Sequence, residues 1–264
     1  MQKVFLTGAS SGIGLATLNL LSSEGFEIWA ASRHPEKIGN RPGIHPVTLD
    51  LNDLAQVENT FAATWKEAGH FDILINNAGF SSYGSILRTP GELATEQMRV
   101  MYEAPLLLTK LAATEMLKRS RGTILNVTSL AVRLPIPFMV PYCAAKAALN
   151  AATQAFRLEL AHTRLHIVEL QPGDINTPFH EAMKMLPRPF SKEETAAYQA
   201  IEREMKAAPS PDLIARKILK ILRQQNPPAL VTAGSFLQTK LAPLGLRFLP
   251  DSWMKYFLSR HYGI

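Results

Sequence analysis

Lys3-Val4-Phe5-Leu6-Thr7-Gly8-Ala9-Ser10-Ser11-Gly12-Ile13-Gly14 opens the chain, and no other stretch constrains its architecture as much. A short apolar run meets three glycines and then an amphipathic segment from Leu15 to Glu24, which reads as strand, turn and helix. Gly8 suits the backbone of a tight turn, Gly12 lets the main chain approach a pyrophosphate, and Gly14 permits close packing of helix on strand. The free N–H groups of the first helical turn and the positive end of its dipole then point at the phosphates.

The alternation continues downstream. Apolar runs at Phe26 to Ala31, His45 to Leu49, Phe71 to Ile75, Thr123 to Thr128, His166 to Leu170 and Ala229 to Thr232 predict strands. Between them, Asp53 to Ala68, Thr95 to Lys118, Tyr142 to Ala161 and Asp212 to Gln224 predict helices. Such βαβ units, with right-handed crossovers, build a parallel sheet covered on both faces. The expected fold is therefore α/β, a doubly wound parallel sheet of Rossmann type in a single domain over residues 1–264. Its ligand belongs at the C-terminal strand ends. No repeat, low-complexity tract or Gly/Ser linker divides the 264 residues, and with 47 % hydrophobic residues they suffice for one full core.

Tyr142 and Lys146 stand four apart, so a helix presents phenol and ammonium on one face. A cation beside a phenol favours phenolate and draws a reference pKa of about 10 toward neutrality, which makes Tyr142 an acid/base candidate. Taken alone, the spacing fits a packed ring beside a solvated amine equally well. The single cysteine, Cys143, forms no internal disulfide and reads as a small packed helix residue.

Thr7 through Gly14, Asn76-Asn77-Ala78-Gly79, Ser129, Tyr142 with Lys146, and Pro172-Gly173 follow one another in a fixed order, Ser129 lying 13 residues before Tyr142. In these motifs the chain resembles the short-chain dehydrogenase/reductase family, over about residues 1–180. The resemblance implies hydride transfer between a nicotinamide cofactor and a carbonyl or secondary alcohol carbon. It casts Tyr142 as proton donor or acceptor and Ser129 as the hydroxyl that orients the carbonyl oxygen. Lys146 would hold the nicotinamide ribose and favour tyrosinate. It also places Gly8, Ser10, Ser11, Gly12, Ile13 and Gly14 at the phosphates, and Asp50 and Leu51 at the adenine. Asn77, Ala78 and Gly79 lie along the cofactor, and Pro172, Gly173, Ile175 and Thr177 at its nicotinamide end. Asp50 also fits a helix cap.

One position departs from the pattern. Where the family often carries an asparagine whose main chain holds a proton-relay water, this chain has Met101. Pro105 lacks the N–H that would bond the Met101 carbonyl, so that carbonyl is left to hold the water. Either the relay survives on the main chain or it is impaired.

An acidic residue ending the second strand would grip a ribose 2′-hydroxyl and repel a 2′-phosphate. Here Ser32 takes that place and Arg33 follows it, with a guanidinium suited to phosphate oxygens. NADP(H) is expected in preference to NAD(H), and no metal is expected.

The 28 Lys+Arg against 22 Asp+Glu give a net charge of +6, but the basic residues are scattered singly, which argues against a nucleic-acid partner. A strand begins almost at the N-terminus and no apolar run reaches a membrane span, so a cytoplasmic location is expected.

Residues 180–210 are expected to form a substrate lid, with Met183, Met185, Leu186, Pro187, Pro189 and Phe190 facing an apolar ligand. Leu134 to Met139 would line the other side, although both stretches fit loop anchors on the core equally well. The expected substrate is a hydrophobic small-molecule ketone or alcohol. The C-terminal extension, 233–264, interleaves aromatic and basic residues: it covers the core, closes the cleft, joins subunits, or touches a membrane peripherally through 234–262. The small-residue helix after Tyr142 and the resemblance together imply a homodimer or homotetramer. A noncatalytic NADP(H)-binding sensor on the same fold is the alternative to an enzyme.

Overall fold

The computed structural model describes residues 1–235 and 250–264, so the stretch 236–249 of the amphipathic extension, with Phe236, Lys240 and Arg247, lies outside the described residues. The strands are β1 (Lys3–Thr7), β2 (Glu27–Ser32), β3 (Ile44–Thr48), β4 (Ile73–Asn76), β5 (Ser82–Tyr83), β6 (Gly122–Val127), β7 (Leu165–Pro172), β8 (Lys184–Met185) and β9 (Leu230–Ala233). Seven of them form one all-parallel sheet in the order β3-β2-β1-β4-β6-β7-β9. It is the doubly wound Rossmann-type sheet expected, in one domain.

Side chains alternate across the strands, so each strand feeds two cores. Val4, Leu6, Ile28 and Ile75 pack with Leu18 and Leu21 of α1 (Gly12–Ser23) and with Ile214 and Ile218 of a late helix, Asp212–Leu222. Phe5, Trp29 and Leu74 instead meet Val57 and Phe61 of α2 (Leu54–Ala68). Burial on both faces is why these strands read as continuous apolar runs.

The predicted helix from Thr95 to Lys118 is interrupted. It comprises α3 (Gly91–Met98), a π-helical turn at Arg99–Glu103, and α4 (Ala104–Lys118). Pro105 offers no N–H to the Met101 carbonyl, and the chain widens just before it, Ala104 N–H reaching back to the Arg99 carbonyl. The following helix, α5 (Val140–Glu159), carries Pro141 in its first turn, where a missing N–H costs nothing.

After β7 come a short α6 (Pro178–Glu181) and α7 (Lys192–Ala207). The expected lid is thus largely a helix, and it is tied down. β8 pairs with β5 through Lys184 N–H to the Ser81 carbonyl and Leu186 N–H to the Tyr83 carbonyl, both 2.9 Å. Glu194, buried in the first turn of α7, accepts from Arg88 Nη2 at 2.5 Å, Ser85 N–H at 2.8 Å and Ser191 N–H at 2.8 Å. Tyr83 adds its hydroxyl to the Glu194 carbonyl at 2.6 Å.

Candidate active site

Every residue assigned to the site from the sequence lines one cavity of about 1400 Å³ at the C-terminal strand ends. At its cofactor side the glycine loop is held by close approach. Gly8, at φ 71°, leaves no room for a side chain, because a Cβ would stand 2.8 Å from Ala78 Cα. Gly12, at φ 52°, abuts Thr177 from the segment after β7. Thr7 joins the first and fourth strand ends: its Oγ1 accepts from Asn77 N–H at 3.0 Å and Ala78 N–H at 3.2 Å. Asn77 returns a bond from Nδ2 to the Thr7 carbonyl at 3.0 Å.

Ser32, at the end of β2, is buried, donates to Ser10 Oγ at 2.8 Å and accepts from His34 N–H at 3.0 Å. Arg33, His34 and Lys37 are exposed on the cavity rim beside it. The sequence reading named only Arg33 of these three; the turn that follows β2 brings the other two round. Asp50 lines the cavity and accepts from Asn52 N–H at 3.0 Å, while Asp53 is the residue that caps α2, accepting from Gln56 N–H.

Toward the other side, Ser129 follows β6 and Tyr142 and Lys146 share the inward face of α5, all on the same cavity. Ser129 stands near enough to the Tyr142 phenol to favour its ionised form, and its Oγ accepts from Ala131 N–H at 3.0 Å. The Phe179 ring lies edge-on to Tyr142, with centroids 5.8 Å apart. Lys146 turns its ammonium to the Val127 carbonyl at 2.8 Å, next to Gly79. Met101, wholly buried, packs its thioether against that glycine.

One expectation is corrected by this geometry. The Tyr142 phenol is not drawn toward neutrality: burial pushes it up to about 12, against the downward pull of Ser129, and the Asp174 carboxylate pushes the same way as burial. Burial alone lowers Lys146 to about 8. With its charged end committed to a carbonyl and itself desolvated, the lysine does not acidify the tyrosine in the cofactor-free chain. Cys143 is a packed thiol, as expected, raised by burial and hydrogen-bonded to the Ile136 main chain.

Of the apolar residues expected at the substrate, Leu134, Ile136, Met139 and Met183 line the cavity. Leu186 and Phe190 anchor the lid instead, Leu186 against Gly84 and Phe190 against Tyr83. Ile201, Glu204 and Met205 of α7 and Phe257, Leu258, Arg260, His261 and Tyr262 of a C-terminal helix, Asp251–Tyr262, complete the wall. The sequence reading had 180–210 as a lid and closing the cleft among the roles of the extension, but it assigned none of these side chains to the wall, since no local pattern says which helix face a distant loop will meet. Among the described residues, no cluster has the makings of a metal site and no helix is long and apolar enough to cross a membrane.

Residues 2–185 match the family described as short chain dehydrogenase. The chain belongs to that family. Its members are oxidoreductases of carbonyl and alcohol groups on small molecules. Across the whole chain it is 30 % identical to a 3-ketodihydrosphingosine reductase of Bacteroides thetaiotaomicron, the match covering 98 % of that relative. A solved short-chain dehydrogenase from Streptomyces avermitilis superposes with a TM-score of 0.82 at 20 % identity, over 97 % of each chain. Another family member, from Burkholderia cenocepacia and solved in complex with NADP, gives 0.76 at 26 % identity over 98 % of this chain and 99 % of its own.

Proposed function

We propose that this chain is an NADP(H)-dependent oxidoreductase that transfers a hydride between the nicotinamide and a hydrophobic ketone or secondary alcohol, with Tyr142 as its acid/base. The reading is carried by the convergence of Ser129, Tyr142 and Lys146 on the same cavity as the glycine loop.

The residues present fit the cofactor. Bare main chain at Gly8, Gly12 and Gly14 beside the Ser10 and Ser11 hydroxyls suits a pyrophosphate; a Cβ would strike Ala78 from Gly8 and the Gly8 carbonyl from Gly14, while Gly12 is kept glycine by its φ of 52°. Ser32 in place of an acid, with Arg33, His34 and Lys37 around it, suits a 2′-phosphate over a bare hydroxyl. The NADP complex of the Burkholderia cenocepacia relative supports the same choice, with NAD(H) as the second cofactor. When bound, the dinucleotide supplies the hydride to a carbonyl carbon or takes it from an alcohol.

The chain's own groups do the rest. Ser129 donates to the carbonyl oxygen, its Oγ held in place by the Ala131 N–H. Tyr142 stands protonated in the cofactor-free chain, and a protonated phenol is the form that gives a proton to a developing alkoxide, so reduction is the favoured direction. Lys146 binds the nicotinamide ribose and, once its charge faces that site, eases loss of the phenolic proton. Met139, Met183, Ile201 and Leu258 exclude water and receive an apolar chain, in keeping with the relative named a 3-ketodihydrosphingosine reductase. The exposed rings of Trp253, Tyr256 and Phe257 beside Lys255 support a peripheral membrane contact at the mouth of this cavity. Exposed Leu117 and Leu158 on α4 and α5 support association into a homodimer or homotetramer.

The test is NADPH oxidation with a panel of long-chain ketones. Tyr142→Phe keeps NADPH binding and loses at least about a hundredfold in kcat, in line with the usual contribution of a positioned acid. Undiminished turnover in that variant discards the mechanism.

A further inference from the structure

The C-terminal helix folds back onto α7. Gly263 ends it at φ 69°, seated so close that a side chain there would meet Ala196 at 3.4 Å. One side of the helix faces inward: Tyr262 is buried and Leu258 half-buried against the cluster that holds Tyr142, Met183 and Ile201. The opposite side is a stripe of Trp253, Tyr256, Phe257 and Arg260, spaced i, i+3, i+4 and i+7, and all four are exposed. Its rings pack on one another, with centroids 6.1 Å apart for Trp253 and Phe257 and 5.7 Å for Tyr256 and Phe257. The outward stripe of a surface helix is ordinarily polar, whereas this one is mostly aromatic. Phe257 and Arg260 also line the cavity, so the stripe borders its mouth.

Resting on the oxidoreductase reading, we infer that this stripe seats the chain on an anionic bilayer with the cavity mouth at headgroup depth, so that the apolar ketone enters from the bilayer and not from water. Charge selects the occupant. From Phe236 to Arg260 the sequence carries Lys240, Arg247, Lys255 and Arg260 against the single acid Asp251. Such a run is drawn to anionic lipid headgroups. A second copy of the chain is a poorer occupant, because a two-fold pairing of the stripe would set Arg260 and Lys255 near their own counterparts. Trp and Tyr join an apolar ring to a polar edge, which suits them to the boundary between headgroups and acyl chains. Lys255 and Arg260, both exposed, can lay their aliphatic stems in that boundary and keep their charges among the phosphates. Behind the stripe the lining stays apolar. Leu258, Met205, Ile201 and Met183 line the cavity and pack in the one cluster that contains Tyr142. A ketone that enters past Phe257 therefore exchanges acyl chains for side chains and never exposes its own chain to water.

The experiment has two arms. In the first, the full chain is floated with vesicles of phosphatidylcholine alone or of phosphatidylcholine mixed with phosphatidylserine. It is expected to bind the mixed vesicles about tenfold more tightly and to leave them at high salt. The combined variant Trp253→Ser, Lys255→Gln, Tyr256→Ser, whose positions are exposed and stand outside the cavity wall, loses that binding about tenfold or more. In the second arm, NADPH oxidation is followed with a long-chain ketone dissolved in the same vesicles and with a short water-soluble ketone without vesicles. The vesicle-borne ketone is expected to turn over about tenfold faster on the anionic surface, at a rate set by its mole fraction in the bilayer. The variant loses this gain and reduces the soluble ketone within about twofold of the native rate. Equal binding to both kinds of vesicle, undiminished binding by the variant, or self-association of the chain that the variant abolishes overturns the assignment. Equal turnover on the two surfaces does the same. If no ketone is reduced in either form, the oxidoreductase reading itself fails, and the flotation arm still decides the membrane claim.

Discussion

Lys146 places its ammonium 2.8 Å from the carbonyl oxygen of Val127, at the end of the strand that leads to Ser129. The group is desolvated, and its protonation equilibrium has moved from 10.5 to about 8. Between these values the unfolded chain keeps a proton that the native chain has released, so stability rises with pH across that window. Urea midpoints taken from pH 7.5 to 10 should show this rise in the native sequence and a flatter profile in Lys146→Met, the difference between the two isolating the one group.

Gly14 faces the Gly8 carbonyl so closely that a Cβ would stand 1.9 Å from its oxygen. Gly14→Ala must displace main chain, and is expected to cost about 3 kcal/mol or more together with the loss of NADPH binding. Gly91→Ala, with nothing within 4 Å of the added carbon, is the control and should leave the thermal midpoint unchanged or slightly raised.

Glu194 joins the cavity wall to the loop after β5 through Ser85 N–H and Arg88, and a third donor, the N–H of its own helix cap Ser191, completes the shell of this buried carboxylate. Its proton affinity is held below the ordinary 4.5 by those bonds despite burial. Its contribution is therefore present above pH 4.5 and is lost as pH falls through the lower native value. Glu194→Ala is expected to cost about 3 kcal/mol, since it strands Arg88 and two N–H groups. Glu194→Gln should blunt the acid sensitivity, read as the shift of the unfolding midpoint between pH 6 and pH 3.5.

Arg33 decides the cofactor in this reading. Arg33→Ala should raise KM for NADPH about tenfold or more, the worth of one charge-assisted phosphate contact, and leave KM for NADH near its starting value. Ser32→Asp should reverse the preference. Equal effects on both dinucleotides would move the specificity elsewhere.

Much of this was written in short-range pattern. The strand, glycine turn and helix at the N-terminus, the apolar strands and the Ser129, Tyr142, Lys146 set are local in sequence, and strand ends of a doubly wound sheet are bound to gather. What stayed hidden depends on distance. Asn76 Nδ2 reaches Asn126 Oδ1 at 2.8 Å and Thr109 Oγ1 at 3.1 Å, and Asn126 Nδ2 reaches Thr153 Oγ1 at 2.9 Å; this buried polar chain across strands and helices has no signature in any one segment. The fall of Lys146 and the rise of Tyr142 hidden in the same way, because an i, i+4 spacing shows the attraction between two groups and not the water each has lost. The π-turn before Pro105 was half legible: the missing donor is in the sequence, the widened backbone that answers it is not.

The fold-back of the C-terminal helix divides the labour of the chain. The wall that meets the dinucleotide comes from the glycine loop and the early strand ends, whereas much of the opposite wall is made by α7 and the final turn around His261 and Tyr262. Exchanging these late segments between relatives would redraw which molecules are accepted while the machinery that handles reducing power stays as it is.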